Sequence, residues 1–163
     1  MNLFVTSPDP KKCAELLDTK RLGWSAIKES AQLISTAIWE LWHIETPVKP
    51  THPHHPVAKW VRECPENLSW TVRYMRKCCE EYYSRKIKIY RINDFPSSEL
   101  QKRFEKTVVI NDWGTFNTPI HFCNHAANKS LGIDYTHLDV HRAYRIYLAY
   151  RWTHTDKVPP RWD

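Results

Sequence analysis

The stretch from Leu16 to Trp42, LLDTKRLGWSAIKESAQLISTAIWELW, carries two apolar lines at helical spacing and constrains the fold more than any other part of the chain. One line is Ile27, Ala31, Ile34, Ile38 and Leu41, and the other is Leu22, Ala26, Leu33 and Ala37, interrupted by Glu29. A helix that is apolar along two lines must be flanked on more than one side, so this stretch predicts a central helix with other elements packed around it. Glu29 then stands as a carboxylate in an apolar row, where desolvation would raise its pKa and suit it to proton transfer near neutral pH. The same pattern fits a buried salt bridge or a satisfied polar contact, because structural ion pairs also perturb pKa values.

The flanking segments read as short helices and loops. MNLFVT is apolar from the start and is expected to be an extended segment tucked against the core. Asp9-Pro10 supplies an N-cap and a proline at the first helical position, predicting a helix over 10–17. TPVKPTHPHHP, dense in proline, predicts a surface loop. A short helix follows over 56–64, and Pro65 starts another that runs to about Lys86 with Leu68, Val72, Met75 and Cys79 inward. Arg73, Arg76, Lys77, Glu80 and Glu81 form its solvated side. KIKIYRI and TVVIND read as strands or extended segments, Ser98–Lys106 as a short helix, and GTFNTPIHFCNHAANKSLG as a loop. A last helix over 138–152 presents Val140, Tyr144, Tyr147, Leu148 and Arg151. Three glycines leave little material for tight hairpins. The expected class is mainly α, a compact helical bundle of one domain over 1–163 with an extended N-terminal segment.

The charge balance points to an anionic partner. Lys and Arg total 24 against 18 Asp and Glu, a formal +6, and nucleic acid is the commonest partner of such an excess. Eight Trp and eight Tyr sharpen this, since several lie beside basic residues, where flat rings stack bases and guanidinium groups grip phosphate. Most of the tryptophans are nevertheless expected in the core. No run of 18 apolar residues predicts a membrane span, and MNLFVTSPDPKK lacks the pattern of a signal peptide. Five cysteines without framework spacing fit free thiols in a reducing cytoplasm, that of a bacterial host if the chain is phage-encoded.

Metal chemistry is the first question the histidines raise. His121, Cys123 and His125 fall within five residues, and His137 and His141 share a helix face at i,i+4. Against zinc stand the absence of any CxxC pair and of the Glu that follows the first His in zinc hydrolases, so no cofactor is expected. His52, His54 and His55 in the proline-rich loop are read as meeting phosphate or solvent. No GxSxG elbow or Gly-rich phosphate loop is present, and Cys78-Cys79 reads as packed thiols inside a helix. Basic and aromatic residues gather at Lys20-Arg21, at Lys59-Trp60 with Arg62, at Arg142, Arg145 and Arg151, and in the tail at Lys157, Arg161 and Trp162. Such clusters from separated parts of the chain are what a DNA groove requires, although solvated surface charge accounts for any one of them.

The order LDTKRLGWSAIKESAQL, KPTHPHHPVAKW, CCEEYYSRKIKIYRI and VPPRW resembles the phage endonuclease V-like family of pyrimidine-dimer DNA glycosylases. The resemblance implies a compact all-helical enzyme that acts, as a monomer, on double-stranded DNA and flips a base out of the stack. It implies a terminal α-amine that attacks the sugar C1′, displaces the base and forms a Schiff base that permits strand cleavage. It makes Glu29 the acid that orients the sugar and moves protons, and places Lys28 and Gln32 where basic side chains hold phosphate and sugar. Lys20, Arg21, His54, His55, Lys59, Trp60, Arg142, Arg145, Arg161 and Trp162 complete the expected DNA contact. Two positions depart from the pattern. Asn2 stands where the family exposes a small residue after Met removal, and Gln32 where an Arg would bind phosphate. Either the Met1 amine is the nucleophile or the lyase chemistry has been lost.

Three functions follow as alternatives. The first is a glycosylase and lyase for a pyrimidine lesion or modified pyrimidine. The second is a transferase that modifies a hydroxymethylated pyrimidine in phage DNA, with Glu29 as base and no excision. The third is a non-enzymatic nucleic-acid-binding protein in which Glu29 is a structural ion pair.

Overall fold

The computed structural model describes residues 3–87, 120–156 and 160–162. Of the expected strand or extended segment KIKIYRI, residues 86 and 87 are helical, and residues 88–92, the expected segment 107–112 and the expected helix over 98–106 lie outside the described residues. The chain is mainly helical. The helix α1 (Pro10–Leu16) begins at Asp9, whose carboxylate accepts from the Lys11 amide, and Pro10 occupies the first turn as the sequence predicts. A three-residue helix α2 (Thr19–Arg21), capped by Asp18, leads into a π-helical stretch over Leu22–Ile27 and then into α3 (Lys28–Trp42). The predicted central helix is therefore real but wider-wound in its first third. Gly23 lies in that wound stretch, and a Cβ there would stand 3.0 Å from the end of the Tyr82 ring, which would have to shift by a few tenths of an ångström to admit it.

Both apolar lines are buried. Ile27, Ala31, Ile34 and Ile38 form one side and Leu22, Ala26, Leu33 and Ala37 the other, none more than 3 % exposed. Leu41 is the exception; it is exposed, because α3 outruns the core and ends at His43 in the left-handed conformation. Glu29 is half-buried, not enclosed as its place in the row suggested. The two short-to-long helices α4 (Pro56–Glu63) and α5 (Pro65–Ile87) start at the prolines that predicted them. Leu68, Val72, Met75 and Cys79 face inward, and so does Cys78. Both thiols of that pair are core, as read.

Long-range ties fix the corner between α1, α2 and α5. Arg85, itself buried, donates from Nη1 to the Leu17 carbonyl at 2.6 Å and from Nη2 to the Glu15 carbonyl at 3.1 Å, satisfying the carbonyls that α1 leaves open at its C-terminus. Its Nε pairs with Glu81 at 2.7 Å. The segment expected to be a loop, which ends at Gly132, supplies the first strand and the turn of a small hairpin, β1 (Ala127–Asn128) with β2 (Ile133–Asp134), closed by a 3-10 turn and by Gly132 at φ +66°. Two-residue strands carry no periodicity, which is why the sequence shows only a loop there. The last helix, α6 (Val140–Tyr150), is capped by Asp139 and continues as a π-helical turn over Arg151–Thr155. It buries Ala143, Tyr144, Tyr147 and Leu148 on the core that α3, α4 and α5 share. Among the described residues no helix is long and apolar enough to cross a membrane.

Candidate active site

The N-terminal segment is held at every step. Leu3, Phe4, Val5 and Thr6 are 5 % exposed or less. Two α6 side chains one turn apart secure it: the His141 Nδ1 lies 3.0 Å from the Val5 carbonyl, and the Arg145 Nε donates to the Thr6 carbonyl at 2.9 Å. A carbonyl only accepts, so His141 carries its proton on Nδ1. The Trp70 indole donates to the Pro8 carbonyl at 2.8 Å, and Phe4 meets Tyr144 edge-on. Chain ends ordinarily fray unless tied down in this way. Leu3 lines a narrow apolar crevice together with Val57 and Trp60 from α4, Phe122 and Cys123.

The proline-rich loop reaches the same neighbourhood from α3. The Thr36 hydroxyl lies 2.9 Å from the Thr51 carbonyl and accepts from the Thr51 amide at 3.0 Å, which pins the loop to the helix. Glu29, Gln32 and Thr36 stand at i, i+3 and i+7, so one face of α3 runs from the acid to the loop anchor. Four residues beyond Thr51, the His55 Nδ1 accepts from the Val57 amide at 3.2 Å and so caps α4. The His125 ring lies across from it, the two centroids 6.5 Å apart. Burial pushes the pKa of His55 down, with His125 and His52 adding to the effect. Burial does the same to His125. Both imidazoles are therefore neutral at physiological pH. The Cys123 thiol is pushed up by burial to about 11 and is not a nucleophile at neutral pH.

A second set of expected contacts meets at the tail. The Thr19 amide donates to the Arg161 carbonyl at 2.8 Å, so Lys20 and Arg161, 141 positions apart in the sequence, lie on one exposed patch. Trp162 joins them; it is 48 % exposed, its indole reaches the Leu16 carbonyl at 3.3 Å, and its ring meets Trp152 edge-on. Beneath the patch is a buried clamp. Arg21 is 9 % exposed and sets Nη1 on Asp18 and Nη2 on Asp156, both at 2.6 Å. The Asp18 carboxylate also accepts from the Trp152 indole at 2.8 Å. Burial opposes the Asp18 charge, but the hydrogen bonds from Trp152 and Arg21 outweigh it and hold the carboxyl below its ordinary range.

The other residues read from sequence divide by position. Lys28, His54, Lys59 and Arg142 are exposed, and Gln32 is half-buried. Arg145 is exposed along much of its length while its Nε holds Thr6. Trp60 is 5 % exposed, donates to the His121 carbonyl at 2.8 Å and packs between Trp70 and Phe122. Trp60 and Arg21, expected at the DNA surface, are thus interior, and they can shape a DNA-facing surface only from beneath. Among the described tryptophans Trp60 and Trp70 are buried, Trp152 packs partly buried against the core, and Trp39, Trp42 and Trp162 are exposed. Met1 and Asn2 lie outside the described residues, as does Lys157. Among the described residues no group of three or more His, Cys, Asp or Glu could hold a metal ion. The placing of His125 against His55 was not foreseen in the sequence, where HFCNH was read only for metal.

The described residues thus combine a tied-down N-terminal segment, an acid in the first turn of the central helix and exposed basic side chains. The family model for pyrimidine dimer DNA glycosylases matches residues 1–94, more than half of the chain, and the chain belongs to that family. DNA is accordingly its substrate class. The matched span ends before the β1–β2 hairpin, α6 and the tail, so these lie beyond the family match, although the resemblance included the tail. No curated protein matches the chain, and no solved structure does.

Proposed function

We propose that the protein is a base-flipping glycosylase and AP lyase for a pyrimidine lesion or modified pyrimidine in duplex DNA, with a terminal α-amine as nucleophile and Glu29 moving protons. The observation that carries this reading is the immobilised segment from Leu3 to Pro8, held by His141, Arg145 and Trp70. A nucleophile on a frayed chain end would lose most of the advantage of fixed orientation. An α-amine titrates near neutrality and needs little activation.

In this reading Lys28 and Gln32 flank Glu29 on α3 and meet the sugar and phosphate. Lys20, Arg161 and Trp162 form one contact with the duplex, Arg142 and Arg145 on α6 another, and His54 and Lys59 a third. The test is incubation with a duplex that carries one pyrimidine dimer. Strand nicking by the wild type is expected, together with a loss on the order of 10²-fold or more in Glu29→Gln at unchanged melting temperature. Nucleosides that gain mass without excision would favour group transfer instead. Binding with no chemistry, and a Glu29→Gln variant that is merely less stable, would leave a non-enzymatic DNA-binding protein.

A further inference from the structure

The far end of α3 stays apolar where it leaves the core. Trp39, Leu41, Trp42 and Ile44 fall within six consecutive residues and are 40, 45, 46 and 47 % exposed. Single apolar side chains are normal on a surface, but large ones gathered in one place mark an interaction site. The segment is already ordered. The His43 amide donates to the Trp39 carbonyl at 2.9 Å with His43 left-handed at φ 54°, and the two rings meet edge-on, 5.9 Å between centroids. The Thr46 hydroxyl donates to the Val48 carbonyl at 2.8 Å, and Thr51 is pinned to Thr36 further along the loop. A surface fixed in advance loses little entropy when a partner covers it.

Charge selects the partner. From Glu29 to Val48 the sequence has three carboxylates, Glu29, Glu40 and Glu45, and no Lys or Arg, although the whole chain carries a formal +6. Glu40 and Glu45 are exposed and stand among and beside the apolar residues. Nucleic acid is gripped by cations on its phosphates, and an amphipathic helix that lies on an anionic membrane carries Lys and Arg on its polar face; this patch has neither. A second copy seated symmetrically on the same patch would bring the carboxylates of both copies together. We propose that the end of α3 docks a basic amphipathic segment of another protein, its apolar side chains on Trp39, Leu41, Trp42 and Ile44 and its Lys or Arg side chains on Glu40 and Glu45. At 1.5 Å per residue Trp39 lies about 15 Å along α3 from Glu29, so docking there is separate from whatever chemistry Glu29 performs.

The probes are two labelled synthetic amphipathic helices of about 18 residues with the same leucine face, one with Lys and the other with Glu on its polar face. Each is titrated with the whole protein at physiological salt and read by fluorescence anisotropy. The net charge of +6 alone favours the Glu helix, whereas the patch favours the Lys helix, by about tenfold or more. Trp39→Ala and Leu41→Ala are each expected to weaken Lys-helix binding about tenfold, at unchanged melting temperature and DNA affinity. Glu40→Gln combined with Glu45→Gln should weaken it about threefold and flatten its salt dependence. An equal or reversed preference between the two helices overturns the proposal, and so does Lys-helix binding that none of these variants weakens. A wild-type dimer in sedimentation that Trp39→Ala turns into a monomer would give the patch to a second copy, and a loss of DNA affinity in Trp39→Ala would give it to DNA; either result overturns the basic partner.

Discussion

Replacing Asp18 tests how the tail is held against the helical body. Its side chain is 3 % exposed and that of Arg21 10 %, and Asp18 accepts from the Arg21 amide, the Arg21 guanidinium and the Trp152 indole at 3.0, 2.6 and 2.8 Å. Removing one partner of a buried pair costs about 3–5 kcal/mol. Asp156 still neutralises Arg21 in Asp18→Ala, so the lower end, about 3 kcal/mol, is expected; for a chain of this size that lowers Tm by about 6–12 °C. Asp18→Asn keeps shape and an acceptor but weakens two charge-assisted bonds, for a loss of about 1–2 kcal/mol. The folded carboxyl titrates below its ordinary value, so its contribution is complete above the unfolded-chain pKa of about 3.9 and is lost as pH falls through the folded value. The wild-type and Asn stability curves should therefore run parallel from neutrality to about pH 4 and converge below it. Urea unfolding across that range measures the gap, and tryptophan emission from Trp152 and Trp162 reports release of the tail. A loss under about 1 kcal/mol in Asp18→Ala, or a gap that is constant down to pH 2, would refute the clamp.

Other outcomes follow from burial and charge. Trp60→Ala should cost about 3–5 kcal/mol of stability as a core truncation, whereas Trp162→Ala should leave urea unfolding within about 0.5 kcal/mol of wild type and weaken DNA binding by about 1–3 kcal/mol. Neutralising Lys20 or Arg142 should lower the slope of log affinity against log salt by about one each in binding titrations, with equal effect on any duplex sequence. Gly132→Ala meets no atom within 4 Å, so its cost of about 1–2 kcal/mol in thermal unfolding measures the left-handed backbone alone. At pH 8 the Cys123 thiol should resist a disulfide reagent in the native protein and react promptly in urea.

Local chemistry made much of the fold legible. Asp9-Pro10, Pro56 and Pro65 each mark a helix start because proline fits the first turn, and α1, α4 and α5 begin there. The 3- and 4-residue spacing of Ile27, Ala31, Ile34 and Ile38 gave the buried side of α3. What escaped is what depends on distant partners. The packing of Tyr82 onto Gly23, 59 residues away, and the burial of Trp60 against Phe122 and the His121 carbonyl are such cases. Arg21 resembles any exposed basic residue until Asp156 is brought beside it. The site follows the same division. Glu29 stood out because it broke a periodic row, but the facing of His55 and His125 and the bond from the Thr19 amide to the Arg161 carbonyl are tertiary contacts with no local trace.

The most direct measurement is the attachment point of a borohydride-reduced adduct. The wild-type protein is trapped on duplex DNA with a single abasic site, digested, and the peptide bearing the nucleotide is found by mass spectrometry. The predicted result is one modified peptide, the one that begins at residue 1, with the mass on its α-amine. A mass on a lysine peptide such as that of Lys20 or Lys59, or no adduct while binding is intact, would contradict a terminal nucleophile.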